Sequence, residues 1–184
     1  MPLVLSFDTA APHCAAALLD GDRLAAERLE PMARGQAERL MPMLEEMLEE
    51  TGAAWGDLAA IGVGTGPGNF TGIRIGVSAA RGLGMALGVP AIGVTATDAL
   101  LLGAPEGAVA AIPAPRGQVF LARSGEAPVL RGDEAAPIGA LRPIANPAPS
   151  IARIAAARLG TPQPRPAPTY ARAPDAAPAP PPAA

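Results

Sequence analysis

Residues 64–76 read GTGPGNFTGIRIG, a glycine-rich turn that lies between a short apolar run and a helical pattern. The run before the turn, residues 59–63, is typical of a buried strand, and the apolar spacing after it predicts a helix over residues 70–87. Glycine permits tight turns and close backbone approach at this junction. The stretch therefore predicts a strand, turn and helix of the kind that builds an α/β layer.

The residues before this unit predict a hairpin set and one more helix. Residues 3–8, 14–19 and 23–30 have strand patterns, and Asp20-Gly21 is a hairpin-turn dipeptide. Apolar spacing over residues 36–50 predicts a helix that bends, or becomes regular, at Pro42. With a further strand at residues 91–94, the order βββαβαβ predicts an α/β fold with a mixed sheet.

The second half has a different composition. Eight prolines fall between residues 105 and 149, which disfavours long helices and central strands. Strands at residues 108–112 and 118–122 and a short helix at residues 150–159 are predicted there. Proline and alanine fill 17 of the 24 positions from residue 161 to residue 184, so we expect most of that tail to be extended and unpacked. The predicted domains are residues 1–104, 105–160 and 161–184.

Composition excludes several classes of protein. All 14 basic residues are arginine, so a Walker-A lysine, a Schiff-base lysine and a lysine-rich nucleic-acid arm are absent. The net charge of −3 gives no footprint for binding RNA or DNA alone. One cysteine and one histidine cannot form an internal disulfide, a zinc site or a histidine-dependent triad. With no signal-peptide pattern and no apolar run long enough to span a bilayer, we expect a soluble cytoplasmic protein.

Two places suggest ligand chemistry, and each has a structural alternative. The glycine turn, including Gly66 and Gly68, could hold a phosphate against the helix amides, or its glycines could serve turn geometry alone. Asp8 and Thr9 follow the first strand, where a carboxylate could hold a nucleotide-bound metal or simply close an Asx-type turn. These residues are the weak candidates for cofactor binding, and the structural alternative is favoured in both places.

No catalytic residue or metal site is predicted. Cys14 begins an apolar strand, so burial is expected rather than reactivity, and His13 is interpreted as a loop residue. No nucleophile with an adjacent base can be assembled from the sequence. The acidic run Glu45, Glu46, Glu49 and Glu50 is typical of a solvated helix face, with contact to a basic partner as the alternative.

The helix over residues 70–87 has a second pattern, because small residues recur at every fourth position. Gly76, Ala80, Gly84 and Gly88 leave little side-chain bulk on one flank, where another helix could approach closely. The flank could instead pack on the chain's own sheet, and we predict both contacts together. Two such helices from each of two chains would form an interface of about 800 Å² per partner. The predicted interface residues are Leu40, Met43, Leu44, Met47, Ile73, Gly76, Val77, Ala80 and Gly84.

The glycine turn also carries a recognisable motif. Residues 66–76, GPGNFTGIRIG, occur together with LSFDT at residues 5–9 and YARAPDA at residues 170–176. This combination resembles the bacterial TsaB family of tRNA threonylcarbamoyladenosine biosynthesis proteins. The motif residues are Gly66, Pro67, Gly68, Phe70, Thr71, Gly72, Arg74 and Gly76.

The resemblance implies an RNase H-like/actin-like ATPase fold that has lost its own catalysis, here with a shortened second lobe. It implies a non-catalytic scaffold, without a cofactor, that binds TsaD, the threonylcarbamoyl transferase subunit, through the two N-terminal helices. A P-loop ATPase, TsaE, would join that heterodimer, a homodimer through the same helices is possible, and tRNA would be reached only indirectly. The alternative is an ATP-binding phosphotransferase that uses Asp8 and the Gly66 turn, or a peptidase-like enzyme.

Overall fold

A computed structural model describes residues 1–170. The helices are α1 (Gln36–Thr51), α2 (Phe70–Leu87), α3 (Ala96–Leu101) and α4 (Ala148–Ala157). The strands are β1 (Leu3–Asp8), β2 (His13–Asp20), β3 (Arg23–Pro31), β4 (Leu58–Gly64), β5 (Ala91–Val94), β6 (Ala110–Ala114), β7 (Gln118–Ala122) and β8 (Val129–Gly132).

The first five strands form one mixed sheet in the order β3-β2-β1-β4-β5. Strands β1, β2 and β3 are antiparallel because short turns join them, whereas β4 and β5 run parallel to β1 because helices cross over between them. The predicted α/β fold with a mixed sheet is confirmed. The predicted bounds of β1, α2 and β5 are those observed.

Helices cover both faces of this sheet. Alternate residues of β1 point to opposite faces, so Leu5 and Phe7 pack under α1 while Val4 packs with α4 on the other side. The hydroxyl of Ser6, on the α4 side, donates to the Ala148 carbonyl over 2.8 Å and ties the first turn of α4 to the sheet. The core is therefore two apolar layers separated by a fully buried central strand.

A second sheet follows, in the antiparallel order β6-β7-β8. The predicted pairing of residues 108–112 with 118–122 and the helix near residues 150–159 are confirmed, with shifts of about two residues. Strand β8 and helix α3 were not predicted. Helix α4 falls within the predicted second lobe, but it packs on the first sheet. The rest of the domain division stays a prediction.

The segment after α4 returns to the first sheet. Pro166 is buried, and the amide of Thr169 donates to the Thr65 carbonyl over 2.8 Å. Residues 161–170 are neither helix nor strand, and most of them are exposed, with Pro166 buried and Pro168 and Thr169 half-buried. The tail therefore touches the sheet near its described end, and the expectation for the rest of the tail stays a prediction. The remaining tail, with the predicted motif residues beyond Tyr170, lies outside the described residues.

Candidate functional site

The glycine turn after β4 packs against the turn between β1 and β2. A Cβ at Gly68 would collide with the Ala10 carbonyl oxygen, and a Cβ at Gly72 would collide with that of Thr9. The backbone amide of Asn69 donates to the Ala10 carbonyl over 2.6 Å, so the backbones of the two turns are held in contact. Glycine is therefore needed at these two positions because the chain's own backbone lies where a side chain would be.

The N-terminus of α2 is capped from within the turn. The side-chain oxygen of Asn69 accepts a hydrogen bond from the Gly72 amide over 2.9 Å, which satisfies one of the helix's first donors. The Gly72 carbonyl in turn accepts the Thr9 hydroxyl over 2.7 Å. These pairings agree with the favoured interpretation, in which the glycines serve turn geometry, and the phosphate alternative stays untested.

Asp8 closes the other side of this junction. Its Oδ1 atom accepts the Ala10 amide over 3.0 Å, the hydrogen bond of an Asx-type turn, and lies 2.9 Å from His13 Nε2. Asp8 Oδ2 occupies the space where a Cβ at Gly64 would stand. Within residues 1–170, no group of three metal-ligating side chains comes together. Asp8 is thus a buried structural carboxylate.

His13 differs from its prediction as a loop residue. It is the first residue of β2, and its ring is largely buried beside Asp8. The signal was present in the sequence, since only four residues separate Asp8 from His13 across a predicted strand turn.

A cleft of about 470 Å³ separates this junction from the second sheet. Asp8 and His13 lie in its wall, and the lining is otherwise rich in proline and aliphatic side chains, such as Ile112 and Ile151. Among the described lining residues there is no arginine to meet a nucleotide phosphate.

Cys14 is fully buried in β2, as expected. Burial, reinforced by the negative charge of Glu30, raises the pKa of its thiol to about 11. The thiolate that would be needed for nucleophilic chemistry is therefore disfavoured at neutral pH.

The structure places the predicted partner-interface residues inside the chain's own core. A Cβ at Gly76 would lie 2.9 Å from Thr9 Oγ1, and a Cβ at Gly84 would lie 3.0 Å from the Val89 carbonyl oxygen. These positions are buried because the small flank of α2 lets the helix approach its own sheet. Their contact with a partner stays a prediction. The buried set comprises Leu40, Met43, Leu44, Met47, Ile73, Gly76, Val77, Ala80 and Gly84.

A different stripe of α2 faces outward. Ser78, Gly82 and Ala86 recur at every fourth position and are exposed. A Cβ at Gly82 would have no atom within 4 Å, and Met85 beside it is 78% exposed. We call Ser78, Gly82, Met85 and Ala86 the outer stripe. Helix α2 therefore has small residues on two faces, one sealed and one open.

Two residues of the motif, Phe70 and Arg74, hold the end of the described chain. The rings of Phe70 and Tyr170 stack with centroids 5.1 Å apart, and the Arg74 guanidinium lies 4.0 Å from the Phe70 ring centre. Arg74 Nε also donates to the Tyr170 hydroxyl over 3.0 Å. This cluster joins residues 96 positions apart, and sequence reasoning did not predict it.

Comparison with known proteins identifies the family. A family model described as TsaD, tRNA N6-adenosine threonylcarbamoyltransferase, matches residues 30–156, more than half of the chain. The chain belongs to this family. Its relatives include the tRNA threonylcarbamoyladenosine biosynthesis protein TsaB of Escherichia coli, 36% identical over 124 residues, or 65% of this chain and 53% of that protein. The TsaB protein of Haemophilus influenzae is 32% identical over 65% of this chain and 52% of that protein. The resemblance to TsaB is confirmed.

Solved structures agree on the fold. A Pseudomonas aeruginosa protein described as uncharacterized, with similarity to peptidase YeaZ, has a TM-score of 0.73 and 28% identity, and the match covers 94% of this chain and all of that one. YeaZ from the same organism has a TM-score of 0.58 and 35% identity, over 72% of this chain and 65% of that one. The chain therefore shares the α/β fold of these YeaZ-type structures, and it spans about half the length of the curated relatives it matches. The RNase H-like/actin-like assignment and the shortened second lobe stay predictions.

In the part of the chain that the structure describes, no helix has both the length and the apolar composition needed to cross a bilayer.

Proposed function

We propose that the chain is a non-catalytic scaffold subunit in the biosynthesis of threonylcarbamoyladenosine in tRNA, and that it binds and activates a TsaD-type transferase subunit. The observation that carries the proposal is the outer stripe of α2, which is exposed, small and apolar at its centre. The TsaB names of its relatives support the pathway. Its site of action would be the cytoplasm, where tRNA is modified.

The energetics of Gly82 support a contact from outside. Glycine in a helix interior is less stable than alanine by about 1 kcal/mol, and nothing in the described chain approaches Gly82. Its cost is therefore not offset by any contact with residues 1–170. A partner helix lying across Ser78 and Gly82 could approach closely, because side-chain bulk is missing there, and Met85 would be covered by the same contact.

Charge on the neighbouring helix indicates the partner's surface. Helix α1 carries five glutamates, and two of them, Glu46 and Glu50, pair with Arg39 and Arg28 of this chain. Glu45 and Glu49 are exposed and, within residues 1–170, form no ion pair. We expect the partner to place basic side chains opposite α1 and apolar side chains opposite the outer stripe.

The mechanism would be thermodynamic. A subunit that binds one arrangement of the transferase more tightly than another shifts the transferase toward that arrangement without contributing chemistry. The environment of the candidate catalytic groups supports this role, because Asp8 and Thr9 are paired within the chain and Cys14 is buried. A TsaE-type ATPase would bind the resulting heterodimer, and tRNA would be reached mainly through the partners.

The test is a bulky substitution on the outer stripe. Gly82→Trp should leave the melting temperature within a few degrees of wild type, because the site is open, yet reduce co-purification with the TsaD-type subunit at least tenfold. Ala157→Trp, at an exposed position of α4, is the matched control and should bind normally. Substitutions at Ala80 or Gly84 are unsuitable, since both positions are buried and would disturb the fold.

Two outcomes would contradict the proposal. Wild-type co-purification by Gly82→Trp would exclude the outer stripe as the contact. Micromolar binding of ATP and Mg²⁺ by the isolated chain, measured by calorimetry, would revive the enzyme alternative. Size-exclusion chromatography with and without the TsaD-type subunit distinguishes a heterodimer from a homodimer through the same helices.

A further inference from the structure

A second cavity, of about 410 Å³, opens along the β5 edge of the sheet. It lies between the C-terminal half of α2 and the chain that follows α4. Arg81, Arg158 and Arg165 line it, together with Thr161 and Gln163. We call these residues the arginine groove. Among the described residues that line it there is no aspartate or glutamate.

The arginine groove is positive although the protein is acidic. The groove is lined by parts of two segments that contain no carboxylate, residues 58–97 and 135–170, and three of their arginines, Arg81, Arg158 and Arg165, lie in it. The negative charge lies elsewhere, with five glutamates on α1. The protein has a net charge of −3, and the arginine groove is a surface patch of the opposite sign.

The arginines of the groove differ in how they are held. Arg158 donates to the Gly93 carbonyl over 2.9 Å and reaches Asp98 over 3.3 Å, so its position is fixed and its charge partly balanced. Arg81 and Arg165 are exposed and, within residues 1–170, pair with no carboxylate. Two unbalanced guanidinium groups in one cavity repel each other, and a bound anion would relieve that repulsion.

We propose that the arginine groove binds the phosphodiester backbone of the tRNA while the catalytic partner holds its target base. This inference rests on the proposed function. Guanidinium groups match phosphate geometry through paired hydrogen bonds. No aromatic side chain stands among the described lining residues on which a base could stack, so the contact is to phosphate and is independent of base sequence.

The number of arginines sets the strength of binding. Two or three phosphate contacts give weak binding, with a slope of log K against log salt of about −0.7 to −0.9 for each contact. The isolated chain should therefore bind tRNA only at low ionic strength. In a complex the groove would add to contacts made by the partner, which agrees with the absence of an overall basic charge.

The experiment measures fluorescence anisotropy of labelled tRNA with the full chain at several salt concentrations. Arg81→Ala combined with Arg165→Ala should weaken binding about tenfold or more and flatten the salt slope by about 2. The matched control, Arg131→Ala combined with Arg153→Ala, removes the same charge from exposed positions outside the groove and should change affinity less than about twofold. Equal losses in the two double variants, or no binding by wild type at the lowest salt, would overturn the inference.

Two further arms separate the possible explanations. Inorganic phosphate that displaces tRNA completely at matched ionic strength would show a small-anion site, which contradicts the inference. Co-purification with the TsaD-type subunit is measured on the same variants. If the variants co-purify normally and RNA binding does not depend on the groove arginines, only this inference is refuted. If RNA binding depends on the groove but wild type does not co-purify with the TsaD-type subunit, the proposed function is refuted.

Discussion

The two small faces of α2 make opposite predictions for the same substitution. Gly72 and Gly82 lie in one helix, but a Cβ at Gly72 would collide with the Thr9 carbonyl oxygen, whereas a Cβ at Gly82 would meet open space. Alanine should therefore be tested at both positions. The identical chemical change separates helix propensity from steric fit.

The magnitudes follow from these surroundings. At Gly82, alanine should raise the free energy of unfolding by up to about 1 kcal/mol, the difference in helix propensity, which corresponds to about 2–4 °C in a chain of this size. At Gly72, the collision is with backbone, which cannot rotate away. Overpacking costs about 1–3 kcal/mol, so after the gain in helix propensity the net change should be a loss of up to about 2 kcal/mol, or up to about 8 °C.

Urea unfolding followed by circular dichroism measures both changes, and the fluorescence of Trp55, which packs against the main core cluster, provides a second probe. Coincident transitions by the two probes would justify treating the unfolding as two-state. The reasoning would be refuted if Gly72→Ala stabilised the protein as Gly82→Ala does, because the motif glycine would then not be required by the approach of the β1–β2 turn.

Two further predictions concern titration. The pKa of Cys14 is raised to about 11 in the folded protein, from 9.0, so its contribution to stability is present below pH 9 and is lost as the pH rises towards 11. In urea unfolding, the free energy of unfolding of wild type should exceed that of Cys14→Ala by an amount that narrows between about pH 8 and 10.5. A difference that stays constant with pH would contradict this. Arg39 donates hydrogen bonds to Glu30 and Glu46 and lowers the pKa of both carboxyl groups. Arg39→Ala should therefore lower the free energy of unfolding fully above pH 4.5, and this loss should disappear as the pH falls below 4.5. Arg23→Ala, the control, breaks an exposed ion pair and should change stability little at any pH.

Local patterns predicted most of the first sheet because each element there is defined by its own residues. The hairpin dipeptide Asp20-Gly21 predicted the position of the β2–β3 turn, and the three-four apolar spacing predicted the bounds of α2. Helix α3 carried a signal that was missed: the Thr95 side chain accepts the Asp98 amide over 3.0 Å, the N-cap expected of a threonine three residues before an aspartate.

The orientation of α2 could not be obtained in the same way. A four-residue repeat shows which residues share a face, but Gly76 and Gly82 look alike in sequence although one is sealed and the other open. What decides between them is how closely β4 and the β1–β2 turn approach the helix, which depends on the assembled sheet. The pairing of Phe70 with Tyr170 was inaccessible for a similar reason, because nothing local indicates contact across 100 residues.

The motif at residues 66–76 acts in this structure as a junction. Gly68 and Gly72 leave room for the β1–β2 turn. Asn69 caps the N-terminus of α2, and Phe70 and Arg74 contact Tyr170. In a phosphate site of this kind, free amide groups point at the phosphate, and a cationic side chain beside the phosphate strengthens binding. Here the cap occupies one of those amides, and Arg74 is directed at an aromatic ring and a phenol. Contacts within the chain therefore account for the side chains of the motif, which is the arrangement expected of a scaffold whose binding surfaces lie elsewhere on α2.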